Sequence, residues 1–329
     1  MKTKVLYVLV SNKKDIYLEQ AFVSISSIRH HMGKEVEINI LVDQITRDGL
    51  DDNRMKMLAG ADSIITVELS PDLSAQNRSR ILKTSCREYL EGDFIFIDCD
   101  TIITQPLANI DEVSGDIVAC YDSHTLFSEN PYRNLCISDS KKIGIDISKE
   151  EIYYNSGVIL VRDTPKTHEF YKLWNRNWLE GRKKGVNMDQ PSFNKTNKEM
   201  GYPVQCLDDI WNCEIIHGIR FLREAKIVHY LCTNVTSGKN QEIFLMRNMN
   251  VLQSIKQTGK IPNEIKECFN DPFKGIPPLT TLVAGKNNYL LRTPLYNYLL
   301  SHYGSISFMV LNGAIKTINR VKRYLTNKK

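Results

Sequence analysis

The sequence predicts an α/β fold, a sheet flanked by helices over most of the chain, followed by a basic helical appendage. Three observations carry this. Apolar, β-favouring runs alternate with segments whose apolar residues recur at helical spacing, the signature of a sheet built with crossover helices. One such run, FIFI at 94–97, opens directly into Asp98-Cys99-Asp100, so two carboxylates one residue apart leave a strand end. Finally, no acidic residue follows Asp271 while nine Lys and Arg do, which leaves the first 271 residues at a net −4 within a total of +5.

Taken in order, Val5–Val10 (VLYVLV) reads as a first buried strand, then a polar loop, then a helix over Tyr17–His31 with Leu18, Ala21, Phe22, Ile25 and Ile28 on one face. Gly33 is placed to end it. Ile38–Val42 and Ile64–Val67 read as strands around a helix at Leu50–Leu58, and a helix over Ala75–Leu90 sets Arg80 and Lys83 on one face. A solvated basic face explains those two cations as well as a phosphate site does. Phe94–Ile97 suits a strand buried on both faces. Side chains i and i+2 point the same way at its end, so Asp98 and Asp100 can converge on one hard divalent cation. By itself D-x-D also fits a solvated turn. The β-branched Thr101-Ile102-Ile103 behind it argues against that, since turns favour Gly, Asn or Pro.

Asp116–Tyr121 and Glu151–Arg162 read as further strands, the latter holding Asn155-Ser156-Gly157, a pattern for a bulge or close backbone approach. A helix with Phe170, Leu173, Trp174 and Trp178 as its core stripe follows. In NMDQPSFN, helix capping is a sufficient account of Asp189, with Pro191 in the first turn. Lys226–Tyr230 sets His229 at another strand end, where a lone histidine is either structural or a metal ligand. There is no G-x-G-x-x-G after the first strand, which disfavours a strict dinucleotide fold.

The bulk numbers fit an ordinary globular protein, with 42% hydrophobic and 25% charged residues. Eight cysteines include no C-x-x-C pair, so a structural zinc site is not expected. The opening apolar run is too short for a signal peptide, and a reducing cytoplasm is the expected compartment.

In their order and spacing these segments resemble glycosyltransferases of the GT-A fold, a Rossmann-like mixed sheet flanked by helices, over roughly residues 4–240. They look most like family 8, which includes bacterial lipopolysaccharide glycosyltransferases and glycogenin. That resemblance implies a nucleotide-diphosphate sugar donor, a UDP-sugar, with Mn²⁺ or Mg²⁺. It implies that Val10, Ser11 and Tyr17 hold the base and ribose, and that Lys83, with Arg80 second to it, lies over the donor. Asp98 and Asp100 match the metal and ribose motif, and His229 the third metal ligand. Asn155, Asp189 and Gln190 match positions around the transferred sugar. Where the family carries Gly-x-x-Lys-Pro-Trp after the histidine, this chain reads HYLCTNVTSGK, with Lys239 standing nearest the diphosphate-binding lysine.

The expectation is thus a metal-dependent hexosyltransferase, retaining by resemblance, serving a glycan or lipid-linked acceptor in cell-surface polysaccharide synthesis. The alternative is a non-enzymatic protein of the same fold that acts as a membrane or partner scaffold. The domain expectation is a catalytic unit at 1–270 and a linker plus appendage at 271–329. In that appendage Leu311, Ala314, Ile315, Ile318, Val321 and Leu325 share a helical face, with Lys316, Arg320 and Arg323 off it. Such a basic amphipathic helix suits the anionic inner face of a cell membrane, as a peripheral protein. Packing on the catalytic domain or on a second subunit is the competing use, and no nucleic-acid module accompanies the charge.

Overall fold

The computed structural model describes residues 1–231, 244–276 and 293–326. These fall into two compact units, Met1–Leu282 and Val283–Lys329.

The first unit alternates strand and helix at the start: β1 (Lys4–Leu9), α1 (Tyr17–Met32), β2 (Ile38–Asp43), α2 (Gln44–Asp48), α3 (Asp52–Met57), β3 (Ser63–Val67), α4 (Ala75–Ser85) and β4 (Phe94–Ile97). There follow β5 (Thr101–Ile103), β6 (Ile117–Tyr121), α5 (Arg133–Lys142), β7 (Tyr154–Val161), α6 (Pro165–Lys183), α7 (Gln190–Glu199), β8 (Val204–Cys206), β9 (Cys213–Glu214) and β10 (Ile227–His229). Helices α8 (Met249–Thr258) and α9 (Asn263–Asn270) close the unit.

The large sheet has the order β3-β2-β1-β4-β7-β6-β8. Its first four strands are parallel, β7 runs antiparallel between β4 and β6, and β8 is parallel to β6. The sheet is therefore mixed. Every residue of β2, β4 and β7 is buried, as their near-continuous apolar runs require when both faces are covered. On one face Val5, Tyr7, Ile40, Ile95, Ile97 and Leu160 meet Leu18, Ala21, Ile25 and Ile28 of α1. On the other, Leu6, Phe94, Phe96, Ile159 and Val161 meet Leu82 of α4, Phe170, Tyr171 and Trp174 of α6, and Phe193 of α7. Truncating Trp174, fully buried there, to alanine would cost about 3–5 kcal/mol.

A second sheet, β5-β10-β9, stands over the opposite side of α1. It explains why α1 buries Val23 in addition to its predicted stripe: Ile16 and Val23 join Ile102, Val228, Leu252 and Ile265 in a separate core. Gly33 ends α1 as expected, at φ 53° with its N–H on the Arg29 carbonyl. Helix α4 stops at Ser85, short of Leu90, and a 3-10 turn takes over at Cys86–Glu88. There Thr84 and Ser85 turn their hydroxyls back onto the Arg80 and Ile81 carbonyls, a bonding that loosens a helix end. The stretch read as a linker begins as a 3-10 turn, Pro272–Gly275, with Pro272 and Gly275 buried; from residue 277 it lies outside the described residues until 293.

In the second unit, α10 (Pro294–Ser301) and α11 (Ile306–Thr326) flank a turn containing Gly304 at φ 78°. Ile306, Met309, Val310, Ile315, Ile318 and Val321 of α11 are exposed. Among the described residues no helix is long and apolar enough to cross a membrane.

Candidate active site

The topology decides where polar side chains collect. Strands β1, β4 and β6 all end at one edge of the large sheet, and β7, being antiparallel, begins there. Residues Val10-Ser11, Asp98–Asp100, Asp122 and Tyr154–Gly157 therefore meet at that edge, where open α/β sheets place their ligands.

Asp98 and Asp100 leave β4 as predicted, with Cys99 between them turned toward the apolar core and its thiol on the Val8 carbonyl at 3.4 Å. The backbone here is held at several points. Asp98 N–H donates to the Gly157 carbonyl at 2.8 Å and Tyr230 N–H to the Asp100 carbonyl at 3.0 Å. A buried hydroxyl series, Tyr7 to Ser24 to Thr101, ends on the Asp98 carbonyl. Pairing of β5 with β10 sets His229 opposite Thr101, so the imidazole reaches the two carboxylates from the second sheet. The ligand-capable atoms of Asp98, Asp100 and His229 lie within 4.8 Å of one another. His229 Nε2 is 3.3 Å from Asp100 and 4.0 Å from Asp98. Two carboxylates and one imidazole make a donor set that fits a divalent ion such as Mn²⁺.

The predicted cations lie beside this trio. Lys83 Nζ is 3.1 Å from Asp98 and 3.2 Å from Asp189, and rests 4.8 Å over the Phe96 ring. Arg80 Nε stands 3.1 Å from the other Asp189 oxygen, although its N–H is not directed along that line. Asp189 makes no side-chain cap to α7. Its carboxylate instead accepts from Ser156 Oγ at 2.9 Å, and its carbonyl accepts from the Trp174 indole at 3.1 Å. The capping explanation that suffices for Asp189 in the sequence is thus not the role it has. A true cap is seen at Asp43, which accepts from Thr46 N–H at 2.9 Å.

Charge follows this arrangement. Burial alone would raise the Asp189 pKa, but Arg80 and Lys83 overcome it and hold the carboxyl well below its ordinary range. Loss of water raises Asp98, with Lys83 and His229 pulling the other way and Asp100 adding to the rise. Burial would lower His229, but Asp100 and Asp98 reverse that and raise it.

Asn155 Oδ1 accepts from Gly157 N–H at 2.8 Å, and its Nδ2 donates to Asp122 at 3.1 Å. Gln190 Nε2 donates to the same Asp122 oxygen at 2.9 Å, and Asn130 Nδ2 to the other at 2.8 Å. Asp122 was not singled out in the sequence; its place directly after β6 is the signal that marks it, the same strand-end rule that marks Asp98. Of the residues expected to hold the base, Val10 is buried beyond β1. The Ser11 hydroxyl is engaged, donating to Asp15 at 2.6 Å and accepting from Arg54 at 2.8 Å. Tyr17 opens α1 with 45% of its surface exposed. Lys239 lies outside the described residues.

Residues 89–250 match the model of the nucleotide-diphospho-sugar transferase family. No curated protein matches the chain in sequence. Among solved structures, the galactosyltransferase LgtC, determined with donor and acceptor sugar analogues, is 14% identical at a TM-score of 0.52, covering 80% of this chain and 99% of its own. Mouse xyloside xylosyltransferase 1 is 13% identical at 0.51, covering 70% and 98%. The glycosyltransferase GlyE of Streptococcus pneumoniae TIGR4 is 14% identical at 0.51, covering 85% and 66%. The fold is that of GT-A glycosyltransferases, and the segment carrying Asp98, Asp100, Asn155, Asp189, Gln190 and His229 is its nucleotide-diphospho-sugar transferase match.

Proposed function

We propose that the chain transfers a hexose from a UDP-sugar to a glycan or lipid-linked acceptor, in a cation-dependent reaction that retains anomeric configuration. The observation that carries this reading is the convergence of Asp98, Asp100 and His229 within 4.8 Å, joined through Lys83 to the buried Asp189. A Mn²⁺ or Mg²⁺ held by that trio would supply Lewis-acid countercharge to the diphosphate leaving group. Lys83 and Arg80 add positive charge on the same side, where negative charge grows as the sugar–phosphate bond breaks. Asp189, kept ionised by its two cations, stabilises the opposite charge developing at the anomeric carbon. Asn155 and Gln190, both fixed on Asp122, orient the sugar. The exposed ring of Tyr17 offers the base a stacking face, and Val10 and Ser11 offer backbone groups. Retention is what the family 8 resemblance implies.

The α11 helix supports a location at the inner face of a cell membrane, with a lipid-linked acceptor and a part in cell-surface polysaccharide synthesis. Its exposed Ile315, Ile318 and Val321 and, away from that stripe, its Lys316, Arg320 and Arg323 are the two halves of an anionic-interface binder.

The test is UDP release from a panel of UDP-sugars, with Mn²⁺, with Mg²⁺ and with excess chelator, for the wild type and Asp100→Asn. Cation-dependent release by the wild type, nearly abolished in the variant, is expected; the product anomer is read by NMR. Full turnover in chelator, or a fully active Asp100→Asn, would overturn the assignment.

A further inference from the structure

Behind the proposed cation trio lies a buried polar series in which every hydrogen can be placed. It begins at Gly157, whose backbone N–H can only donate, and does so to Asn155 Oδ1 at 2.8 Å. The Asn155 amide is therefore turned with Nδ2 toward Asp122, which as a carboxylate accepts it at 3.1 Å. Asn212 faces the same Asn155 oxygen at 3.0 Å and must present its own Nδ2 there. That leaves Asn212 Oδ1 for His229 Nδ1, 2.9 Å away. An amide oxygen can only accept, so the imidazole hydrogen belongs on Nδ1. Asn212 is wholly buried and Asn155, Asp122 and His229 nearly so, which denies water the chance to exchange these roles.

We infer that Asn212 is a positioning residue for the cation site: it fixes His229 in the tautomer whose Nε2 lone pair faces Asp98 and Asp100. The neighbouring glycine belongs to the same device. A Cβ at Gly157 would lie 2.4 Å from His229 Cε1 and 2.8 Å from its Nδ1, so the ring occupies the space this glycine leaves empty. Ring plane and tautomer are then set from two sides, by the bare Cα of Gly157 and the amide of Asn212. Partners of this kind are worth about 10–100-fold in metal affinity when removed. The series also joins the two halves of the site, because Asp122 at its far end holds Gln190.

This inference rests on reading Asp98, Asp100 and His229 as cation ligands, and its test keeps the two apart. In the metal-free full chain, ¹⁵N-detected NMR of His229, at a pH high enough to remove the imidazolium, reads the tautomer directly. Mn²⁺ affinity is then titrated by electron paramagnetic resonance for the wild type, Asn212→Ala and Asn212→Leu. The wild type is expected to carry its hydrogen on Nδ1. Asn212→Ala should lose that preference and bind Mn²⁺ at least about tenfold more weakly. Asn212→Leu fills much the same space but offers His229 no acceptor and should bind Mn²⁺ as weakly as Asn212→Ala, whereas a merely space-filling role would restore the affinity. A hydrogen on Nε2 in the wild type, or Mn²⁺ affinity unchanged in Asn212→Ala, would overturn the inference. A wild type with the expected tautomer that takes up no Mn²⁺ would overturn the ligand reading itself and the inference with it.

Discussion

The ammonium of Lys83 lies 3.1 Å from one carboxylate oxygen of Asp98 and 3.3 Å from the other. A carboxylate assigned to a cation is thus already balanced by the chain's own charge, and Lys83 is shared with Asp189. Lys83→Met would leave Asp98 without its ammonium and Asp189 with Arg80 as its remaining cation. Removing one partner from such a buried set costs about 3–5 kcal/mol. Thermal unfolding in chelator should show this loss, and millimolar Mn²⁺ should restore more stability to the variant than to the wild type. Equal gains in both would mean that lysine and cation do not share the carboxylate.

Asp189 supplies a pH prediction. Its folded carboxyl binds a proton less tightly than the unfolded chain does, so its stabilisation is present in full above the ordinary carboxylate range and is lost as pH falls below about 4. Asp189→Asn should shrink this acid limb in urea titrations between pH 3 and pH 7. The variant should keep its UDP affinity while turnover falls by about a hundredfold or more, the scale of one preorganised electrostatic partner. A fall in UDP affinity as large as the fall in turnover would place Asp189 at the nucleotide instead.

Gly157→Ala tests the close approach of His229. Overpacking of this kind costs about 1–3 kcal/mol. The methyl group meets a ring carbon and a ring nitrogen, so the loss should fall on the cation site as well as on stability. A Mn²⁺ titration should therefore show weaker binding even at temperatures where the variant is fully folded. Wild-type affinity would mean that the ring has room to move.

For α11, the expected outcome is salt-sensitive co-sedimentation of the full chain with anionic vesicles and none with neutral ones. Each basic residue near the headgroups contributes about 1 kcal/mol. Changing Lys316, Arg320 and Arg323 together to Glu should then weaken binding by at least about a hundredfold, while sugar transfer to a soluble acceptor, read as UDP release, continues. Vesicle binding that ignores both salt and these changes would remove the membrane assignment.

How much of this was legible in the sequence differs by element. The central strands that carry the site were legible because burial on both faces leaves an unbroken apolar run, as in Phe94–Ile97 and Val158–Val161. Asp98 and Asp100 were legible because alternation along a strand end is local geometry. The strand Thr101–Ile103 was not separated from the run before it, and the second sheet was missed with it, since three residues carry too little period to read. Helix α5 was missed because its sequence, RNLCISDSKK, has no clear apolar stripe. Asp189 shows a different limit: an acidic residue at a helix start has a good local explanation, and only its distances to Lys83, Arg80 and Ser156 decide against it. Asn212 had no signal at all, because its meaning depends on Asn155, 57 residues before it, and on His229, 17 residues after it, which only the fold brings to its side chain.

The pairing of β5 with β10 also bears on how the protein reaches its active form. Thr101 and His229 are neighbours in that ladder but over a hundred residues apart in the chain. Contacts of such long range carry a heavy loop-closure cost and tend to form late. The large sheet needs only residues up to Cys206 to assemble, whereas His229, the third of the proposed cation ligands, arrives when β10 docks on β5. Cation capture would then be an event of the finished molecule. A partly folded chain would carry the two carboxylates without their imidazole, so Mn²⁺ uptake followed during refolding should lag the recovery of the Trp174 core.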